Sequence, residues 1–209
     1  MFLDELTEFN KNVLEVLREP LEDKKVTISR LNMSITYPCK FVFVASMNPC
    51  PCGYYGAKDK QCTCRPEQIK KYINKISSPL LDRIDLHIEV ESVKYEKLKS
   101  NRKIETSEEI RERVNKARKI QLERYKEYQI FSNSELTPSL TQKYCNLNDA
   151  SKGILETAFE RLGLSARAYG RILKVARTIA DLDKSDDIKT EHLVEAIQYR
   201  SLDRKYWKK

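Results

Sequence analysis

Two adjacent carboxylates, Asp4-Glu5, end the apolar run Met1-Phe2-Leu3, and four cysteines crowd into CPCGYYGAKDKQCTC at Cys50, Cys52, Cys62 and Cys64. A strand that delivers acids at its carboxyl end brings them to the crevice where ligands of open α/β sheets bind. The same pair could instead open a helix, whose dipole favours negative charge at its start. The cysteines form two C-x-C pairs with nine residues between them. Four thiolates suit a closed tetrahedral zinc site that staples a loop, although the spacing is tighter than the usual C-x2-C ribbon. Reduced thiols in an oxidation-prone loop are the alternative. Cys39 and Cys145 stand alone and read as core filling, and His87 and His192 each sit in an amphipathic element without a partner and read as structural.

The elements that must position these residues follow from periodicity. TEFNKNVLEVLREPLED has helical spacing with Thr7 as its N-cap and Pro20 near its end. VTISRLNMSITYP alternates and turns at Leu31-Asn32, a β-hairpin. KFVFVAS is a continuous apolar run, read as a strand buried on both faces, which delivers Met47-Asn48 to its end. PEQIKKYINKIS is a short helix, and SSPLLDRID leads into a strand, IDLHIEV. The stretch Ser92–Thr106 turns polar and is read as a domain boundary; beyond it only helices are expected, over about 107–128, 138–144, 148–162, 165–182 and 189–199.

Composition narrows the function classes. The 209 residues are 40% hydrophobic, enough for one large core or two small ones. No apolar run approaches the ~18 residues that span a bilayer and no secretory leader opens the sequence, so the expectation is a cytoplasmic protein without a membrane partner. That compartment favours metal binding over disulfides at the cysteine cluster. The net charge is +8, with 23 Lys+Arg against 17 Asp+Glu in residues 100–209. In EEIRERVNKARKIQLERYK opposite charges alternate, the pattern of a solvated helix face, with nucleic-acid contact as the lesser alternative. Tyr54-Tyr55 on the cysteine loop and Arg30 near the hairpin tip are further candidates for nucleic-acid contact.

In series, FLDE, a strand ending VASMN, then MNPCPCGYYG, PLLDRID and LSARAYGRILKVARTIADLD resemble the AAA+ ATPases of the Mg-chelatase-like YifB/ComM family, over essentially the whole chain and in the same order. The resemblance implies an α/β fold: the distal half of an AAA+ P-loop NTPase core over residues 1–95, followed by an all-helical lid domain over 96–209. It departs from the family at the front, because no G-x-x-x-x-G-K-[ST] loop occurs in the sequence. MFLDEL therefore resembles a Walker B strand, and the chain is expected not to hydrolyse ATP by itself.

The resemblance also implies site residues. Asp4 would hold Mg2+, chiefly through water, and Glu5 would act as general base toward the attacking water. Asn48 matches sensor 1, although Asn-Pro is also an ordinary turn. Arg83 matches an arginine finger aimed at a neighbouring subunit; a salt bridge with Asp82 or Asp85 is the plainer reading. Arg167 matches sensor 2, with Arg171 and Arg177 as alternatives on the same segment. ATP is the implied ligand, a homo-oligomeric ring, a hexamer, the implied assembly, and DNA the implied substrate of the motor. Two rivals stay open: a chelatase-type motor, and a non-enzymatic binding module stapled by zinc.

Overall fold

A computed structural model describes residues 1–31, 33–93, 99 and 105–200. The expected domain limit at 95/96 and the tip residue Asn32 lie outside the described residues. Among those described, the chain is mixed α/β, mostly helical with a small parallel sheet, and divides into two compact units: Met1–Ile84 with Glu89–Ser92, and Asp85–Ile88 with Val93 and the described residues between it and Arg200.

In the first unit, β1 (Phe2–Leu3) pairs in parallel with β4 (Val44–Ala45), in register Phe2↔Val44 and Leu3↔Ala45. Between them lie α1 (Lys11–Val16), α2 (Arg18–Asp23) and the antiparallel hairpin β2 (Lys25–Arg30) and β3 (Met33–Pro38). The single helix expected over 7–23 is two short ones. Asn10, not Thr7, caps the first, accepting from the Asn12 N–H at 2.9 Å, and Thr7 is buried in a preceding 3-10 turn. Pro20 lies buried inside α2, three residues before its end.

The strand expected to be buried on both faces is covered on one. Phe41, Phe43, Ala45 and Met47 pack onto a core of Leu6, Leu14, Leu21, Ile76, Leu80 and Leu81, while Val42 and Val44 are 77% and 51% exposed. Strand parity explains this, because alternate side chains leave the pleat on opposite sides and helices cover only one. IDLHIEV is not a strand either. Its apolar Leu86, Ile88 and Val90 are exposed, and the His87 N–H donates to the Tyr199 carbonyl at 2.9 Å instead of to a strand edge. After the cysteine loop come α3 (Pro66–Ile73) and the short α4 (Ser78–Leu81), which Ser77 caps through the Leu80 N–H.

The second unit contains α5 (Ser107–Arg124), α6 (Pro138–Tyr144), α7 (Asp149–Leu162), α8 (Ala166–Leu182) and α9 (Thr190–Gln198). Their starts are written in the sequence. Thr106 and Glu109 form a reciprocal capping box, and Thr137, Asn148 and Ser165 each accept from a backbone N–H three residues on. Gly163 ends α7 at φ +61°, a left-handed conformation suited to glycine, and the Leu164 N–H reaches back to the Phe159 carbonyl. Ala168, Ile172, Leu173, Ala176 and Ala180 form the buried stripe of α8, and its small side chains let α5 and α9 approach closely. Only Ala117 and Gln121 of α5 are buried, as its alternating charges foretold.

Candidate functional site

Asp4 and Glu5 emerge from the carboxyl end of β1 beside the end of β4. The ladder continues past both strands: the Ser46 N–H donates to the Leu3 carbonyl at 3.0 Å, and the Leu6 N–H donates to the Ser46 carbonyl at 2.8 Å. These two bonds bracket the acidic pair. The Ser46 hydroxyl donates to Asp4 Oδ1, which also accepts from the Glu5 N–H at 3.1 Å. Glu5 has φ 51° and ψ 52°, a left-handed backbone that costs a side-chain-bearing residue about 1 kcal/mol. Strain of this kind persists where surrounding structure holds it and is concentrated at functional sites. Asn48 lies two residues beyond Ser46 and keeps the exposed parity of Val42, Val44 and Ser46. The donor set around Asp4 is carboxylate and hydroxyl oxygen, which fits a hard divalent cation that keeps part of its water shell.

Arg83, just after α4, is clamped to α2. Its Nε lies 2.9 Å from Glu22 Oε2 and donates to the Arg18 carbonyl at 3.2 Å, and Nη1 donates to the Pro79 carbonyl at 2.6 Å. The side chain is 11% exposed. The partner is thus Glu22, a residue distant in sequence, not Asp82 or Asp85 as the sequence suggested. Asp85 instead pairs with Arg171, within the second unit. Arg18 is held by Glu15 at 2.7 Å, and hydrogen bonds from Ser77 and then Arg18 keep the Glu15 carboxyl below its ordinary range.

The cysteines converge. The Sγ atoms of Cys50, Cys52, Cys62 and Cys64 all lie within 4.8 Å of one another, with separations of 3.4 Å for Cys50–Cys52, 3.6 Å for Cys52–Cys62 and 3.7 Å for Cys50–Cys62. A tetrahedron of sulfurs about 2.3 Å from a zinc ion has edges of about 3.8 Å. Four soft donors at this spacing can hold a metal. Backbone hydrogen bonds from Tyr54 and Thr63 pull the Cys52 thiol down to about 5. Cys62 goes the other way: a backbone hydrogen bond from Cys64 favours its thiolate, but burial and the neighbouring sulfurs outweigh it and push it up to about 12. Burial raises Cys64 as well. One negative charge is thus welcome in the cluster and further ones repel, which is the repulsion a divalent cation removes.

On the same loop Tyr54 and Tyr55 are exposed; Lys60 Nζ sits 4.2 Å above the Tyr54 ring and 3.0 Å from its hydroxyl. Lys58 pairs with Glu91 at 2.9 Å, and Ser92 donates to Asp59 at 2.5 Å, so residues 89–92 return to the cysteine loop. Arg30 closes the hairpin opposite Met33.

In the second unit Arg167 is exposed in the first turn of α8. Arg177 is buried with Asp181, bonding it at 3.1 Å and donating to the Asp186 carbonyl at 2.6 Å, so it belongs to the core of the unit. Asp181 also accepts from Arg124, Gln121 and Asn133. His192 Nδ1 accepts from the Lys189 N–H at 3.1 Å to start α9, while its Nε2 lies 3.4 Å from Asp183, so it is not without a partner as the sequence suggested. Sequence reasoning missed Ser46, Glu22 and the Asp181 group. For Ser46 the sequence gives only the face, shared with Asn48 by strand parity; its approach to Asp4 comes from the pairing of β1 with β4. No signal existed for Glu22, whose partner lies sixty residues along the chain.

No described helix is long and apolar enough to cross a membrane. The family model for the magnesium chelatase subunit ChlI matches residues 1–98, and that for the ChlI C-terminal region matches residues 104–200. The competence protein ComM of Haemophilus influenzae is 45% identical over 203 residues, 97% of this chain and 39% of that protein. YifB of Escherichia coli is 43% identical over 206 residues, and YifB of Salmonella typhimurium 42% over 205, each covering 98% of this chain and 39% of the relative. The chain thus spans about two fifths of the length of these curated relatives. On both halves of its length, the chain belongs to the Mg-chelatase-like family that includes the YifB and ComM proteins.

Proposed function

We propose that this chain supplies the water-directing and charge-sensing part of an ATP-hydrolysing site in a ring-forming Mg-chelatase-like AAA+ motor. The observation that carries this reading is the acidic pair at the carboxyl end of β1, bracketed by backbone bonds to Ser46 with Glu5 in a strained backbone. Asp4 holds Mg2+ through its hydration shell; when bound, the ion supplies charge neutralisation at the β- and γ-phosphates. Glu5 takes a proton from the attacking water and Asn48 orients that water. Arg167 meets the phosphates from the start of α8. Arg83 stabilises charge on the transferring phosphoryl group of a neighbouring subunit, a contribution of about 10³–10⁵ in rate.

In this reading the assembly is a hexameric ring in the cytoplasm, and its substrate is DNA, remodelled by branch migration as the resemblance to the competence protein implies. The four clustered cysteines hold Zn2+ as a structural staple. Nothing in the sequence supplies a second glycine-rich phosphate cradle, so the 209-residue chain alone does not turn over ATP. The test is Glu5→Gln in the full-length protein. Retained ATP binding with hydrolysis lost supports the assignment, whereas turnover at the wild-type rate refutes it. A second reading, a zinc-stapled module without ATPase activity, is favoured by the sulfur geometry alone; it would be preferred if the full-length protein failed to bind ATP. A tetrapyrrole-directed chelatase motor is the remaining alternative, and no residue described here favours it.

A further inference from the structure

We propose that Ser46 is the positioning residue that sets Asp4 for its divalent cation; this rests on the reading of Asp4 as the magnesium-holding carboxylate. A carboxylate at the exposed end of a two-residue strand can rotate about two side-chain bonds, and holding one rotamer costs entropy. Here two donors hold it. Asp4 Oδ1 accepts from the Ser46 hydroxyl and from the Glu5 N–H at 3.1 Å. Ser46 is itself fixed, because its N–H and C=O both bond the β1 segment, at the Leu3 carbonyl and the Leu6 N–H. The hydroxyl therefore reaches Asp4 from a backbone that is locked to the residues on either side of the acidic pair.

The left-handed backbone at Glu5 directs the chain on to Leu6, whose N–H returns to the Ser46 carbonyl. With Oδ1 engaged twice, Oδ2 is the oxygen presented to a hydrated cation. Groups that orient a direct ligand contribute about 10- to 100-fold in metal affinity; for a carboxylate acting through the ion's water, about tenfold or less is expected. Nothing in the composition or the acidic pair itself points to Ser46; the assignment comes from the pairing of β1 with β4.

The test titrates MgCl2 into full-length protein and follows binding of a fluorescent ATP analogue, with a parallel measurement in EDTA. Ser46→Ala should raise the half-saturating magnesium concentration severalfold, up to about tenfold, and leave metal-free nucleotide binding unchanged. Ser46→Thr keeps the hydroxyl and should retain the wild-type magnesium dependence. Ser46→Cys, close in size with a weak donor, should shift it partway, and it decides the question by the same criterion if the alanine variant does not fold. Wild-type magnesium dependence in the alanine variant overturns the proposal, as does a threonine variant shifted as far as alanine. Asp4→Asn separates the two levels. If it too leaves the magnesium dependence unchanged, Asp4 is not the magnesium-holding group; if it shifts and Ser46→Ala does not, only the role of Ser46 fails.

Discussion

Removing the Asp181 carboxylate should destabilise the helical unit severely, by an amount that follows from its hydrogen bonds. Asp181 is 1% exposed and accepts five of them. Oδ1 takes Arg124 Nη2 at 2.6 Å and Arg177 Nε at 3.1 Å, and Oδ2 takes Arg124 Nη1 at 3.0 Å, Asn133 Nδ2 at 2.8 Å and Gln121 Nε2 at 3.1 Å. Asp181→Ala leaves the buried Arg177 and the mostly buried Arg124 without their counter-charge, and breaking a buried pair from one side costs about 3–5 kcal/mol. Asp181→Asn keeps the shape but does little better. Whichever oxygen becomes the amide nitrogen, at least two donors then face a donor, and hydrogen bonds involving charged groups are each worth about 1.5–3 kcal/mol.

The assay is native-state hydrogen exchange at the buried α8 amides of Ile172 and Ala176, which reads the opening of this unit whatever the rest of the protein does. Both variants should lose about two to four orders of magnitude of protection. Breaking the exposed Lys126–Glu123 pair by Glu123→Ala should cost at most about 1 kcal/mol. A loss below a factor of about five at α8 in Asp181→Ala would show that Arg124 and Arg177 find other partners, and the argument from a closed buried network would fail. The functional consequence is indirect. The same helix carries Arg167 in its first turn, so if Arg167 has the proposed phosphate role, a loosened α8 should also weaken nucleotide response.

Two further outcomes follow from the first unit. Reduced, purified protein should contain about one equivalent of zinc per chain by elemental analysis, and Cys62→Ser should lower it and expose residues 50–64 to proteolysis; a metal-free protein with a protease-resistant loop would contradict the sulfur geometry. In full-length rings, mixing Glu5→Gln subunits with Arg83→Ala subunits, each inactive alone, should restore ATP hydrolysis if Arg83 serves a neighbour's site, and mixed rings without recovery would place Arg83 in its own subunit's site or in a purely structural salt bridge with Glu22.

Much of this molecule is legible in its sequence wherever the determinants are local. The helix starts at 107, 138, 149 and 166 each follow a Thr, Asn or Ser that caps them, and the hairpin follows from alternation about a two-residue turn. The expectations that failed depended on partners. A continuous apolar run such as KFVFVAS carries no mark of how many faces will be covered, and only the packing of Phe41 and Phe43 against Leu6 and Leu80 shows that one is. IDLHIEV has a strand's composition, yet strand structure needs an edge to pair with, and its described backbone bond goes to the end of a helix. At the candidate site, the acids and the sulfurs were visible because their chemistry is carried by residue type. Ser46 and Glu22 were not, because serine and glutamate are common and gain their meaning from a neighbour brought by the fold.

Arg83 shows how such a neighbour changes the physical question. Read from LLDRID, it is a cation between two acids; in the structure it joins α2 to the loop after α4, through Glu22 and two backbone carbonyls. A guanidinium held by one carboxylate and two carbonyls has given up water and side-chain freedom, so any service to a neighbouring nucleotide starts from an ordered side chain instead of a mobile one. The competition is between one carboxylate and a triphosphate carrying several negative charges, and in a dry interface the phosphate is the stronger partner. If Arg83 acts on a neighbouring nucleotide as proposed, Glu22 is the resting partner that keeps its charge paired beforehand. On this argument Glu22→Gln would lower the cost of releasing Arg83, whereas Arg83→Lys would keep the charge but lose the fork that lets one side chain hold carbonyl and carboxylate together.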